Sequence, residues 1–151
     1  MFRLSKKMLF AIEAVVDIAY HAGSQPVQSR DITRRQDIPR RYLEQALQQL
    51  VKANLLTGVR GPRGGYNLAR ERRRISVGDI VEVMRNLEQS VDVLEGDIDS
   101  GLRQIVISSV WEEIQKNMMA RLNDISIDYL CQQAHGKGVV SEGRQNLDFS
   151  I

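Results

Sequence analysis

Arginine and glutamate side chains mark two places in this 151-residue chain. Pro39-Arg40-Arg41-Tyr42 opens a predicted helix that continues through Glu44, while Arg60 and Arg63 lie beside and within a glycine-rich stretch. An arginine can donate two hydrogen bonds to guanine, and a glutamate can accept a hydrogen bond from the amino group of cytosine. These residue types in these positions therefore indicate recognition of bases in double-stranded DNA.

A second group of polar side chains is better placed for phosphate than for base edges. Phosphate contacts position a protein on the duplex, whereas contacts with base edges give specificity. Each arginine could instead be a solvated surface charge, and Glu44 could form only a salt bridge along its helix. We predict phosphate contacts from Ser5, Lys6, Lys7 and Arg34, and contacts with bases or grooves from Arg40, Arg41, Tyr42, Glu44, Arg60, Arg63 and Tyr66.

The charge of the chain is unevenly distributed along the sequence. Residues 1–85 carry a net charge of +8 and residues 86–151 carry −6, which leaves +2 for the whole chain. A basic portion joined to an acidic one suggests a polyanion-binding face that is separate from a region for self-association or partner binding. A soluble surface of mixed charge is the alternative interpretation.

Catalytic and metal-binding motifs are missing from the sequence. It contains no nucleophile elbow, no phosphate-cradling loop and no paired-carboxylate motif, so we expect no enzyme. Cys131 is the single cysteine, which excludes an internal disulfide and a thiolate-only metal site within one chain. His21 and His135 are too few and too distant in sequence to suggest a metal site. We therefore predict no metal and no cofactor.

The apolar stretches are all shorter than the roughly 18 residues that a membrane span needs. The N-terminal residues lead into an amphipathic helix rather than into the apolar core of a signal peptide. We expect a cytoplasmic protein that does not contact a membrane.

The spacing of apolar residues predicts three helices in the first third of the chain. The first covers residues 5–22 with Ser5 as its N-cap, and the second covers residues 30–36 with Ser29 as its N-cap. Asp37 stands at a sharp turn, after which Pro39 opens the third helix, which ends near Asn54.

A β-hairpin and a fourth helix are predicted next. Residues 55–60 and 66–69 have the composition of strands, and the glycine-rich residues 61–65 form the turn between them. After the basic loop of residues 70–74, Ser76 and Asp79 make a capping-box pattern, which starts a helix that runs to about Leu87.

The remaining sequence predicts a long helix between less regular segments. We interpret residues 1–87 as a DNA-binding domain, 88–99 as an acidic linker, 100–134 as a dimerisation region and 135–151 as a flexible tail. The long helix covers about residues 100–125, and a short helical turn follows over residues 129–134. One stripe of the long helix is apolar, and we predict that it forms the interface of a homodimer through Leu102, Ile105, Val106, Val110, Ile114, Met118 and Leu122. Folding of this helix back onto the core as an ordinary amphipathic helix is the alternative.

Several motifs together resemble the IscR-like (Rrf-two) family of bacterial winged-helix regulators. The resemblance rests on Arg3-Leu4-Ser5-Lys6-Lys7, Tyr42-Leu43-Glu44-Gln45, Val59-Arg60-Gly61-Pro62-Arg63-Gly64-Gly65-Tyr66-Asn67-Leu68-Ala69 and Ile75-Ser76-Val77-Gly78-Asp79-Ile80. It covers residues 2–87 well and the long helix loosely. It implies a mainly α fold with a small β-hairpin wing, namely a winged helix-turn-helix with a long C-terminal dimerisation helix. It also implies a homodimer on a palindromic operator, most often a repressor, with Arg41, Glu44 and Arg60 at positions that contact DNA.

The sequence departs from the pattern of this family at three places. Asp37 and Arg63 replace glycines that are usual in the family. Cluster-binding members carry three closely spaced cysteines, where this chain has the acidic residues of the linker 88–99, and Cys131 lies about thirty residues downstream. We therefore expect no iron–sulfur cluster. Cys131 is interpreted as a small, partly buried apolar side chain, with a redox switch or an intermolecular disulfide as alternatives.

The sequence is compatible with three kinds of signal. A small ligand, a regulatory protein bound at the acidic linker, and control by the abundance of the protein itself remain as hypotheses. For the function as a whole, the main alternative to an operator-binding regulator is a winged-helix module that binds proteins and has little specific affinity for DNA. RNA binding is a weaker alternative, because the chain offers few aromatic side chains that could stack on unpaired bases.

Overall fold

Helices form most of the ordered framework, with one β-hairpin in the middle of the chain. The structure, a computed structural model, describes residues 4–87 and 101–143. The elements in chain order are α1 (Lys6–Tyr20), α2 (Ser29–Gln36), α3 (Arg40–Lys52), β1 (Leu56–Val59), β2 (Gly65–Leu68), a 3-10 turn (Arg72–Arg74), α4 (Val77–Leu87), a π-helical segment (Leu102–Ile107), α5 (Ser108–Asn123) and α6 (Ile127–Gly136). The predicted fold class, mainly α with a small hairpin, is confirmed. The predicted linker, 88–99, lies outside the described residues.

Helix α1 is the centre of the fold. Ala11, Ala14, Val15 and Ile18 are almost completely buried, and α1 contacts α2, α3, α4, α6 and β2. Its N-terminus is capped as predicted, because the side chain of Ser5 accepts a hydrogen bond from the backbone N–H of Met8 at 3.2 Å.

Helices α2 and α3 form a helix-turn-helix with a tight connection. The turn depends on Asp37, which has a φ of 53° and lies in the left-handed region that short polar residues tolerate. The prediction that Ser29 caps α2 is wrong, because Ser29 is the first helical residue and no side chain caps this end. Pro39 immediately precedes α3, and Asn54, with a φ of 58°, follows its last turn.

The hairpin pairs antiparallel with Leu56 opposite Leu68 and Val59 opposite Gly65. The loop between α1 and α2 joins this sheet through Val27, whose backbone exchanges hydrogen bonds of 2.8 and 3.0 Å with Tyr66. Gly65 makes this close approach possible, because a Cβ there would lie only 2.5 Å from the carbonyl oxygen of Val27. The wing is therefore attached to the loop that leads into the helix-turn-helix.

Helix α4 begins with the predicted capping box. The backbone N–H of Ser76 donates to Asp79 Oδ2 at 2.9 Å, and the backbone N–H of Asp79 donates to Ser76 Oγ at 3.0 Å. Ile80 and Met84 then enter the core. This part of the prediction is confirmed.

The long C-terminal helix is less regular than the sequence predicted. Its described part contains the π-helical segment, and Ser108 Oγ donates to the carbonyl oxygen of Arg103 five residues earlier. After this segment, regular α-helix runs from Ser108 to Asn123. Wider turns of this kind satisfy the backbone with i to i+5 bonds, which periodicity at 3.6 residues does not predict.

Helix α6 is a ten-residue helix rather than a short turn, and it is part of the main core. Ser126 caps it by accepting from the backbone N–H of Tyr129 at 3.0 Å. Ile127 and Cys131 are buried in the same cluster as α1, although the sequence placed them in a separate C-terminal region. The backbone N–H of Ile127 also donates to Ile75 across this contact.

The first part of the predicted flexible tail makes defined contacts in the structure. Residues 135–136 end α6, and residues 139–143, which we call the strap, pack against α1 and α2. Ser141 and Gly143 are buried there. Residues 144–151 lie outside the described residues.

Candidate nucleic-acid interface

The N-terminal ends of α1 and α3 meet at one surface. Ser5, Lys6 and Lys7 of the α1 start line a cavity of about 390 Å³ together with Phe10, Pro39 and Tyr42. The rings of Phe10 and Tyr42 stack with centroids 6.1 Å apart, and Lys7 Nζ lies 6.0 Å from the Tyr42 ring centroid. Predicted phosphate-binding residues and the start of the recognition helix therefore lie side by side.

The recognition helix α3 exposes its charged side chains. Arg40 Nε donates to Glu44 Oε1 at 2.9 Å, with the two side chains 82% and 50% exposed. This is the helix salt bridge that the sequence left open as an alternative for Glu44. An exposed pair of this kind is weak, about 1 kcal/mol or less. Hydrogen bonds to base edges could therefore replace the Arg40–Glu44 pair. Arg41 is exposed next to this pair.

A cleft separates α3 from the wing. It has a volume of about 850 Å³, with Arg40, Gln48 and Lys52 on the α3 side and Arg60 and Tyr66 on the wing side. The glycines of the wing turn form one edge of this cleft and leave the backbone accessible. Hydrogen-bond donors of this cleft come from α3 and from the wing. In winged-helix proteins the helix enters the major groove and the wing contacts an adjacent groove or the backbone.

Two predicted DNA-binding residues are not part of these surfaces. Arg63 lines a separate cavity of about 470 Å³, which also borders the α1–α2 loop, Arg30 and Glu142. Arg34, predicted to bind phosphate, instead binds Glu142 of the strap, with its Nη2 3.0 Å from both carboxylate oxygens. Tyr66 is only half-exposed and packs partly against the core.

Gln48 and Lys52 line the cleft between α3 and the wing, and the sequence interpretation missed them. They continue the row of polar side chains formed by Arg40 and Glu44, at spacings of four residues along α3. Residues four apart lie on the same helix face. This spacing in the sequence could have placed them on the same helix face as Arg40. Their position opposite the wing depends on the tertiary structure and could not have been found from the spacing.

Comparison with models of protein families identifies the family to which this winged helix-turn-helix belongs. The model of the Rrf2 family, described as "Iron-dependent Transcriptional regulator", matches residues 4–133. The chain belongs to the Rrf2 family. This is the Rrf-two family that the motifs indicated, so that resemblance is confirmed.

Two relatives of known family support this assignment over most of the chain. The HTH-type transcriptional regulator IscR of Vibrio atlanticus (strain LGP32) is 32% identical over 153 residues, which cover 99% of this chain and 85% of the relative. IscR of Vibrio cholerae is 35% identical over 85% of this chain and 74% of the relative.

Two solved structures share the fold. The structure of T. potens IscR superposes with a TM-score of 0.73 at 35% identity and covers 93% of both chains. CymR, the global cysteine regulator of B. subtilis, has a TM-score of 0.70 at 26% identity and covers 88% of this chain and 98% of its own. Like these Rrf2 relatives, the chain is a DNA-binding transcription regulator, and it is not an enzyme.

The residues of this Rrf2 member do not fit an iron–sulfur cluster. Such a cluster needs several thiolates, and the sequence has one cysteine, Cys131. Cys131 is buried in the core on α6, and this burial raises the pKa of its thiol and favours the protonated form. Among residues 4–87 and 101–143, no three His, Cys, Asp or Glu side chains are grouped so that they could hold a metal ion. None of the helices in these two ranges has the length and apolar composition of a membrane span.

Proposed function

We propose that this regulator binds a palindromic operator as a homodimer and represses transcription. The observation that carries the proposal is the cleft between α3 and the wing, where Arg40 and Lys52 face Arg60. Polar side chains near the start of a recognition helix can reach base edges in the major groove while a wing contacts the adjacent groove or backbone.

The proposed contacts divide by chemistry. Arg41 and Glu44 on α3 contact bases, and Arg60 enters the minor groove beside the wing. The other predicted side chains, Arg40, Tyr42, Arg63 and Tyr66, contribute contacts at the edges of these grooves. Ser5, Lys6, Lys7 and Arg34 bind phosphates and give the affinity that does not depend on sequence.

The homodimer is supported by the apolar face of the C-terminal helix. In α5, which is described throughout, no residue is buried within the single chain. The exposed apolar side chains of this face are Leu102, Ile105, Val106, Val110, Ile114 and Met118, and Leu122 is half-buried. A row of exposed apolar side chains on one helix face is typical of a protein–protein interface, and a second copy that covers it removes this surface from water. A twofold axis then presents two recognition helices to two half-sites.

We also propose that the regulator works without a metal or cofactor, in the cytoplasm where its operator is found. The donor set around Cys131 supports the first point, because the single thiol is buried and protonated rather than available as a ligand. Colourless protein after anaerobic purification is the expected result. Stoichiometric iron and sulfide would contradict it.

The function is tested by selecting bound duplexes from a random DNA pool and measuring fluorescence anisotropy on the selected sequence at two salt concentrations. We expect a site with twofold symmetry and an affinity that falls steeply with the logarithm of the salt concentration. Absence of any enriched sequence, together with little affinity at physiological salt, would contradict operator binding and favour a protein-binding module.

A further inference from the structure

The strap makes a set of specific contacts with the end of α1. Ser141 Oγ donates to the carbonyl oxygen of Tyr20 at 2.7 Å, and the backbone N–H of Glu142 donates to His21 Nδ1 at 3.1 Å. The hydroxyl of Tyr20 donates in turn to the carbonyl oxygen of Val139. Gly143 packs so closely that a Cβ there would lie 2.2 Å from the carbonyl oxygen of Ala22. These contacts place Glu142 at a defined position next to α2.

A buried ion pair between Asp17 and Arg35 lies next to Glu142. The carboxylate of Asp17, whose side chain has no exposed area, accepts from Arg35 Nε at 2.9 Å and from Arg35 Nη2 at 2.7 Å. Gln36 Nε2 donates to the same carboxylate at 2.9 Å. Asp17 therefore fixes the position of Arg35 on the inner side of α2. The two hydrogen bonds between Asp17 and Arg35 do not involve Glu142.

Glu142 adds a carboxylate to the outer side of this cluster, where Asp31 Oδ1 also lies 3.7 Å from Arg34 Nη2. Its Oε2 lies 2.6 Å from Arg35 Nη1, and both oxygens lie 3.0 Å from Arg34 Nη2. Partial burial alone would raise the pKa of Glu142, but the hydrogen bonds and charges of Arg34 and Arg35 outweigh it and lower that pKa. The group is thus an anion at neutral pH.

Arg34 is the cation in this cluster that a DNA phosphate could also use. Its side chain is 59% exposed, whereas that of Arg35 is 10% exposed. It lies in the last turn of α2, three residues before the turn that leads to the recognition helix. Arginine binds carboxylate and phosphate through the same N–H donors, so the two anions compete when both can reach it.

We propose that the strap is an autoinhibitory contact in which Glu142 occupies Arg34 and must leave it before this arginine can bind a DNA phosphate. The inference rests on the proposed DNA-binding function and adds regulation to it. The side chain of Glu142 is 40% exposed, so water screens its pairing with Arg34 and allows exchange. The strap backbone contacts keep Glu142 at a high effective concentration next to Arg34 while it exchanges.

The test compares Glu142→Gln with the wild-type chain by anisotropy, on the selected operator and on a random duplex, over a series of salt concentrations. We expect Glu142→Gln to raise the affinity for both duplexes at low salt by about two- to tenfold. Each additional phosphate that is bound steepens the slope of log K against log salt by about 0.9, or about 1.8 for a dimer. The effect on both duplexes follows because phosphate contacts carry no sequence information.

Glu82→Gln on α4 is the matched control, since it removes the same charge from an exposed position. Arg34→Gln and the double variant Arg34→Gln/Glu142→Gln complete the cycle, and the effect of Glu142→Gln should vanish without Arg34. Circular dichroism and elution volume confirm that each variant folds and keeps its oligomeric state.

Two outcomes overturn the proposal while the proposed function stands. In one, Glu142→Gln behaves like Glu82→Gln or lowers DNA affinity, which would make the strap a purely structural element. In the other, the gain in affinity persists without Arg34. If the wild-type chain and all variants bind no duplex even at low salt, the proposed function and the autoinhibitory role both fail.

Discussion

The charged side chains at the proposed DNA surface differ in the contacts that they make within the protein. Arg40 and Glu44 form a pair on the exposed face of α3, whereas Lys6 and Lys7 stand at the start of α1 beside the ring of Tyr42. A pair that must open to contact bases makes binding depend on the bases offered, because only a matching partner replaces the broken hydrogen bond. A lysine that contacts phosphate has no such dependence.

Separate substitutions of Glu44 and Lys6 should distinguish these roles. Glu44→Ala is expected to relax base preference at one position of each half-site, by about 1–3 kcal/mol of discrimination. Lys6→Ala is expected to weaken binding to all sequences similarly and to reduce the salt slope by about 1 for each phosphate that is no longer bound. Anisotropy on the operator and on single-base variants checks both. Equal effects of the two substitutions on specificity would contradict the assignment.

His21 gives the fold a dependence on pH. Burial lowers the pKa of His21 below its ordinary value of 6.5, with Arg35 and Arg34 acting in the same direction and Asp17 and Glu142 in the opposite one. The unfolded chain therefore binds the proton more readily than the fold does. The contribution of His21 to stability is complete above about pH 6.5 and is lost as the pH falls toward the lowered value.

His21→Asn should make stability less dependent on pH in this window. Asparagine keeps a side-chain acceptor for the N–H of Glu142 but does not titrate. Urea unfolding at a fixed protein concentration, in steps from about pH 7.5 to about pH 5, should show the midpoint of the wild-type chain falling more than that of the variant. Parallel pH profiles would show that His21 is not the titrating group.

At the scale of elements, backbone contacts with the α1–α2 loop help to position the wing, in addition to the packing of its apolar side chains against the core. Val27 in the α1–α2 loop pairs with Tyr66, and Gly65 provides the space for that pairing. From the sequence, the glycines of the wing turn are expected to let the backbone approach DNA closely. The structure adds that Gly65 also allows two parts of the protein to approach each other.

Substitution of the wing glycines should separate this role from general effects on the hairpin. Gly65→Ala places a Cβ 2.5 Å from the carbonyl oxygen of Val27, and overpacking of this kind costs about 1–3 kcal/mol. Gly58→Ala on β1 is the control, because its Cβ would meet only Tyr66 Cε1 at 3.9 Å. Thermal unfolding and operator affinity should both decrease for Gly65→Ala and change little for Gly58→Ala. The same response of both variants would show that Val27 does not position the wing.

At the scale of the whole molecule, the core and the proposed dimer interface use different faces of the C-terminal region. Ile127 and Cys131 of α6 are buried with α1, while α5 keeps its apolar side chains at the surface. Through α6 and the strap, the C-terminal region also contacts the two helices that precede the recognition helix. A change in the dimer region could therefore reach α2 through packed elements.

A charged residue in the apolar face of α5 should dissociate the proposed dimer. Val110 is 54% exposed in the single chain, so Val110→Asp leaves the core intact and places a charge in the interface. Light scattering should give the mass of one chain, and operator affinity should fall by about 10²-fold or more, because two linked half-sites no longer bind together. Tyr129→Asp, which changes an exposed side chain on α6, is the control and should stay dimeric. A dimeric Val110→Asp protein would contradict this interface.

The helices, their caps and the hairpin could be predicted from the sequence because they depend on residues close together in the chain. The cap at Ser5, the turn at Asp37 and the capping box of Ser76 and Asp79 each involve contacts over three or four positions. The Rrf2 family assignment also came from contiguous motifs. The errors at this level were small, such as the position of Ser29 and the π-helical segment within the long helix.

The tertiary structure decided which of these elements share a core and which charges are already paired. Glu142 reaches Arg34 across 108 positions of sequence, and Ser141 reaches Tyr20 across 121. No periodicity or local motif encodes such a pair, because each contact depends on how α6 packs against α1 and where it directs the chain afterwards. By itself the sequence determined a DNA-binding fold and its basic side chains, whereas only the packing showed that Arg34, one of the predicted phosphate ligands, is held by an anion of its own chain.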